Sequence, residues 1–147
     1  SDVTKTSGTE VLGIGSGVGN ADLDDDGFLD LFLTNRTFYN SDKQITESDR
    51  NYLLRNKGND NNWIKIELTG TKSNTNAYGA RVKVMAGESI QYREHTSAHG
   101  YNSANDYRLH FGLANEENID SIEIIWPSGE RQLLTDIAVN QTLSIEE

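Results

Sequence analysis

The chain has no cysteine. Disulfide staples and thiolate metal sites are therefore excluded, and cysteine usage carries no trace of the redox compartment. Proline is almost absent too, with one residue in 147. Basic residues are scarce: 13 Lys and Arg stand against 23 Asp and Glu, for a net charge of −10. No basic stripe interrupts that excess, which argues against nucleic acid or an anionic membrane surface as partner. No run approaches the ~18 apolar residues of a membrane-spanning helix, so no membrane insertion is expected. The first residues show no basic-then-apolar leader, and any targeting peptide is expected to lie outside this stretch.

Glycine (13 residues) and asparagine are abundant. Together with the single proline they point to many turns between short strands. Apolar content is only 35% but is gathered in short runs, as in a folded chain of one compact domain or two small modules. Strict alternation dominates the second half. In "WIKIEL", Ile64, Ile66 and Leu68 share one face while Lys65 and Glu67 share the other. "ARVKVMA", "RLHFGL", "SIEIIWP" and "TLSIE" follow the same rule, the mark of half-buried strands. Turn clusters separate them, including "GTKSNTNAYG" and "PSGE"; in the latter Pro127 fixes φ and Gly129 permits positive φ. No helical period persists beyond a turn or two, and "NEENID" offers at most one short turn. An all-β chain is expected, a β-sandwich or partly open barrel with an N-terminal β-hairpin. A module boundary falls in "KGNDNN", giving residues 1–61 and 62–147.

The stretch "DLDDDGFLD" packs Asp22, Asp24, Asp25, Asp26 and Asp30 into nine residues directly before and within an apolar run. Like charges that close repel, and more strongly as water is excluded. Spacing suggests how the repulsion is met. Asp22, Asp24 and Asp26 occupy positions 1, 3 and 5 of a loop, Gly27 position 6 and Asp30 position 9. Alternate side chains can converge on one point, and glycine at position 6 permits the reversal that wraps a cation. Phe28, at position 7, would offer its backbone carbonyl. Such an all-oxygen set suits Ca²⁺ better than Zn²⁺. Asp25 is expected to point to solvent. An EF-hand is excluded because its position 12 needs a bidentate Glu and here holds Leu33. Both flanks, moreover, read as strands. The preceding "GIGSGVG" is no dinucleotide fingerprint, since Val18 stands where the third glycine belongs and no helix follows. Alternating glycine within a strand marks close backbone approach instead.

"GVGNADLDDDGFLDLFLTN", followed by "NYLLRNKGN", resembles one FG-GAP/VCBS-type repeat, a calcium-loop blade of β-propellers. The resemblance makes Asp22, Asp24, Asp26 and Asp30 side-chain ligands and Phe28 a backbone ligand. From about residue 62 onward, "NNWIKIELTGTKSNTNAYGARVKV", "GYNSANDYRLHFGLA" and "IIWPSGERQLL" resemble an ASPIC/UnbV domain, a module that follows such repeats in surface and secreted proteins. A single blade cannot close a propeller, because blades bury their faces on neighbours. Neighbouring blades in a longer parent chain, or docking on the C-terminal sandwich, are therefore expected.

Chemistry beyond calcium has few anchors. His95, His99 and Asp106 lie in the 94–107 segment, and could supply acid–base work or a transition-metal site. No HExxH spacing or serine-hydrolase elbow supports them, and a hydrogen-bonding role is expected for each histidine. The loop "SAHGYNSANDY" offers His99, Tyr101, Asn102, Asp106 and Tyr107 as a candidate ligand-binding surface. A self-satisfied loop is the alternative. Two sequons, at Asn35 and Asn140, are expected by chance in so Asn- and Thr-rich a chain. The leading expectation is a non-catalytic, calcium-binding module, extracellular, at the cell surface or periplasmic, that binds carbohydrate or protein. The alternative is a polysaccharide-acting hydrolase using the His/Asp group of the 94–107 loop.

Overall fold

A computed structural model describes residues 2–11, 15–36 and 50–147. Thr37 of the first sequon and most of the polar excursion after it lie outside the described residues. The chain divides into two compact units: Ser1–Lys57 with Ala98–Asn105, and Gly58–Ser97 with Asp106–Glu147.

The first unit begins with a single helical turn, α1 (Thr4–Ser7), closed by Gly8 in the left-handed conformation. Its sheet is antiparallel and three-stranded, in the order β1 (Gly15–Ala21), β2 (Asp30–Asn35), β3 (Tyr52–Leu54). The pairing Ala21↔Asp30 forms the mouth of the β1–β2 hairpin and holds the acidic loop between two strands. The close approach expected of the alternating glycines is present. A Cβ on Gly19 would stand 2.8 Å from the Ala104 carbonyl oxygen, and one on Gly17 3.3 Å from that of Asn102. The 98–105 segment thus rests on a track that side chains would fill, and Asn105 Oδ1 accepts the Asn20 N–H at 3.1 Å. Gly19→Ala is expected to lift this segment and cost about 1–3 kcal/mol, read as faster amide exchange across 98–105. Unchanged exchange would show that the track does not hold the loop.

The second unit is a β-sandwich. One sheet runs β10 (Gln141–Glu146), β4 (Asn62–Thr69), β7 (Leu109–Ala114). The other runs β6 (Ser89–Glu94), β5 (Arg81–Ala86), β8 (Asn118–Ile125), β9 (Arg131–Ala138). All pairs are antiparallel except β10 with β4. Side chains from both sheets meet in one core, with Ile64, Ile66 and Phe111 from the first and Val82, Val84, Ile122 and Ile124 from the second. Trp126 closes its rim, buried, with its indole N–H donating to Gln132 Oε1 at 3.2 Å. The architecture is all-β, and the sheets do not close into a barrel.

One local expectation changes. Lys65, read as a solvent-face residue, is 1% exposed, with its ammonium 5.0 Å from the centre of the Trp63 ring. The aromatic face offsets part of the cost of that burial. The segment 115–120 turns once, with the Glu116 N–H donating to the Leu113 carbonyl at 3.1 Å, and then enters β8. The "WPSGE" turn is as expected: Gly129 has φ 91° and donates its N–H to Trp126 O at 2.9 Å.

Glu147 fastens the end of β10. Its Oε2 accepts the backbone N–H groups of Thr71, Lys72 and Ser73 at 3.1, 2.9 and 2.7 Å. Its Oε1 accepts the hydroxyls of Ser73 and Ser128 at 2.8 and 2.5 Å. Desolvation pushes this carboxyl upward, but the bonds from Ser128, Ser73 and Lys72 outweigh it and bring the pKa from 4.5 to about 2. Since the folded value is the lower one, the stabilisation is full above about 4.5 and fades as the pH falls toward 2. Glu147→Gln is expected to flatten the acid limb of the stability–pH curve in that window. An unchanged limb would assign it to other carboxylates.

Candidate metal centre

The acidic loop turns by conformations that few residues accept. Asp25 lies at φ 56° and Gly27 at φ 93°. Aspartate tolerates the left-handed region better than most residues, and glycine carries no Cβ penalty there. These reversals set Asp22, Asp24 and Asp26 around one point, with one carboxylate oxygen from each lying within 4.8 Å of the others. Asp22 is 2% exposed, whereas Asp24, Asp25 and Asp26 are exposed to solvent.

Asp22 organises the loop as well as lining it. Its Oδ1 accepts the Asp26 N–H at 3.0 Å and its Oδ2 the Gly27 N–H at 2.8 Å. Asp26 Oδ1 in turn accepts the Phe28 N–H at 3.0 Å. Asp30, also buried, is not among the three converging carboxylates. Its oxygens accept the N–H groups of Leu23 at 3.2 Å and Asn56 at 2.8 Å, tying the loop to its own start and to the residue two places after β3.

Two participants carry no signal in the spacing. Arg55 forms an ion pair with Asp24 and approaches Asp26 at 3.6 Å, so a guanidinium offsets part of the loop's charge. Asn56 caps the loop from the other side, donating its side-chain N–H to Leu29 O at 3.3 Å. Both lie within the "NYLLRN" stretch that follows the loop in sequence, but nothing in residue spacing says that β3 returns beside it.

The donor set is hard and anionic: three carboxylates within reach of one another, and no nitrogen or sulfur ligand in the group. It fits an oxygen-seeking divalent cation. The residues present therefore suit such a cation, with Asp22, Asp24 and Asp26 as the side chains that would hold it.

The histidine and loop residues do not form a comparable group among the described residues. His95 is 3% exposed and its ring packs against Tyr78, centroids 5.1 Å apart. His110 stacks on Trp63 at 6.4 Å. His99 belongs to the first unit, where its backbone N–H donates to Ser103 O at 3.3 Å and its carbonyl accepts the Ser103 hydroxyl at 2.8 Å. Tyr101 and Asn102 are exposed in the same segment, Asn102 at φ 49°. Asp106 and Tyr107 belong to the second unit. Both Asp106 oxygens accept from Arg108, at 2.6 Å from Nη2 and 3.2 Å from Nε. The exposed Tyr107 ring lies 5.9 Å from the same guanidinium.

The chain is similar to cartilage acidic protein 1 of Homo sapiens, 30% identical over 129 residues, which cover 82% of this chain and 17% of that protein. The protein of the same name from Mus musculus is 30% identical over 129 residues, covering 82% and 18%. That from Xenopus tropicalis is 29% identical over 130 residues, covering 83% and 18%. The chain thus spans 17–18% of the length of the curated relatives it matches. The sandwich strands from β5 onward, with the "GTKSNTNAYG" loop before them, fall within residues 70–147, which match the model of one family. By that match the chain belongs to the ASPIC and UnbV family.

Proposed function

We propose that the chain is a non-catalytic, calcium-stabilised extracellular module of a longer surface or secreted protein, binding a carbohydrate or protein partner. The observation that carries this reading is the convergence of Asp22, Asp24 and Asp26 in a loop between two strands. The resemblance of that loop to an FG-GAP/VCBS blade supports calcium and adds Asp30 and the Phe28 carbonyl as ligands. The similarity to cartilage acidic protein 1, of which the chain covers a small share, supports a place in a longer protein, and the blade resemblance adds neighbouring blades there. The 98–105 loop, with Tyr101 71% exposed, is the surface best suited to a partner.

Calcium would serve here as a clamp. A metal that binds only the folded loop adds RT ln(1 + [L]/Kd), about 2.7 kcal/mol at a hundredfold excess over Kd. Extracellular calcium is abundant enough to make even a weak site useful. The melting temperature of the intact chain is expected to rise with millimolar CaCl₂ and fall with EDTA. The Asp24→Ala and Asp26→Ala variants are each expected to lose most of that span. A wild-type melting temperature identical in EDTA and CaCl₂ would refute the calcium reading.

A further inference from the structure

We propose that the Thr71–Ser73 turn and Ser128 form a binding site for a small carboxylate, which Glu147 occupies in cis and an external carboxylate group can enter in its place. The acidic loop and its calcium have no part in this site.

The cradle is held by bonds of its own besides those to its occupant. Three are consecutive backbone amides of one turn, so the cradle depends on chain geometry more than on side-chain identity, as in other anion-binding nests. The turn is braced by its own bonds: Gly70 N–H to Thr75 O at 3.0 Å, and Ala77 N–H to Asn74 O at 2.7 Å. The Asn74 side chain adds two more, donating to Tyr78 O and accepting from Tyr78 N, both at 2.9 Å. Ser128 sits in the separately bonded Trp126–Gly129 turn.

The two hydroxyls are aimed. Ser73 Oγ accepts the Ser128 N–H at 3.0 Å, and Ser128 Oγ accepts the Glu130 N–H at 3.2 Å. With backbone donors filling their acceptor sides, both hydroxyl protons are directed toward the anion. The result is five donors around one planar group, three on one oxygen and two on the other. That division matches a carboxylate. Nearby, Lys72 is paired with Glu130, so the site carries no surplus cation that would favour a dianion.

Occupant and cradle come from distant parts of the sequence, 74 to 76 residues apart for the amide contacts. A carboxylate presented by a partner would compete for the same donors. Its entry would release the Glu147 side chain and loosen the end of β10, which the Thr71 hydroxyl also holds through Glu147 O at 3.0 Å.

The test uses the full chain as wild type, Glu147→Ala and Glu147→Asp, the last keeping the charge but shortening its reach. Each is titrated with sodium acetate, sodium phosphate and, at matched ionic strength, sodium chloride. Amide shifts of Thr71, Lys72 and Ser73 and the melting temperature are followed. In Glu147→Ala, acetate is expected to shift these amides saturably and raise the melting temperature, with phosphate weaker and chloride inert. Wild type should need about tenfold more acetate or beyond, because a tethered carboxylate competes at an effective concentration on the order of millimolar or higher. Should Glu147→Ala unfold, acetate-dependent recovery of its β-sheet circular dichroism is the same readout. Equal responses to acetate and chloride in both variants would overturn the site. Phosphate binding as tightly as acetate would overturn its assignment to carboxylates.

Discussion

Asp22→Ala is expected to abolish the calcium-dependent rise in melting temperature and to destabilise the first unit even in EDTA. The two effects have separate causes. Asp22 is the buried member of the three converging carboxylates, so the change removes the ligand best shielded from water. It also removes the acceptor for the N–H groups of Asp26 and Gly27. A buried donor left unsatisfied costs about 1–3 kcal/mol, and Gly27 is itself buried. Asp24→Ala, which removes an exposed carboxylate and its ion pair with Arg55, should by contrast cost little in EDTA. Isothermal titration with CaCl₂ and thermal melts in EDTA separate the two terms. Calcium binding by Asp22→Ala with wild-type affinity would dismiss the metal role and leave only the structural one.

The second large effect belongs to the sandwich. Phe111→Ala is expected to cost about 3–5 kcal/mol, the range for deleting a fully buried aromatic ring. Phe111 is 0% exposed in β7, and Arg93 lies 5.2 Å from its ring centre, so a cavity there is bounded by more than one element. Urea unfolding followed by tryptophan fluorescence reports on this unit, since both tryptophans, Trp63 and Trp126, lie in it. A loss under about 1 kcal/mol would mean that the site collapses around the missing ring.

The legible part of this fold is the part where one face of a strand is buried. Alternation at Ile64, Ile66 and Leu68, at Val82 and Val84, and at Ile122 and Ile124 is the direct imprint of a two-layer core. β6 left no such imprint, because its apolar residues Ile90 and Tyr92 face solvent, 50% and 66% exposed, at a sheet edge. β9 hid for another reason. Asp136, at φ 54°, shifts the phase, so its inward residues Leu134 and Ile137 are three apart instead of two. The burial of Lys65 was likewise hidden, since alternation reports which face a residue takes but not what covers it. At the acidic loop, spacing identified Asp22, Asp24 and Asp26 because their convergence is local. The contacts of Asp30 with Asn56 and of Arg55 with Asp24 depend on where β3 returns. The glycine track was readable as a close approach, but not the identity of what approaches, which arrives from some 80 residues downstream.

The parallel pairing of β10 with β4 has a consequence for the order in which the molecule can be built. Ile64 and Leu68 pair with Gln141 and Ile145, so β4 leaves the ribosome long before its last partner has been made. The first unit is similarly delayed, because its Ala98–Asn105 segment is translated after β4, β5 and β6. Neither unit can finish as the nascent chain emerges from one end to the other. Until residue 146 is free, one edge of β4 stands open, an invitation to strand pairing with other chains. Slow closure of long loops compounds that exposure. The acidic surplus offers protection in that interval, since nascent copies carrying the same sign repel one another.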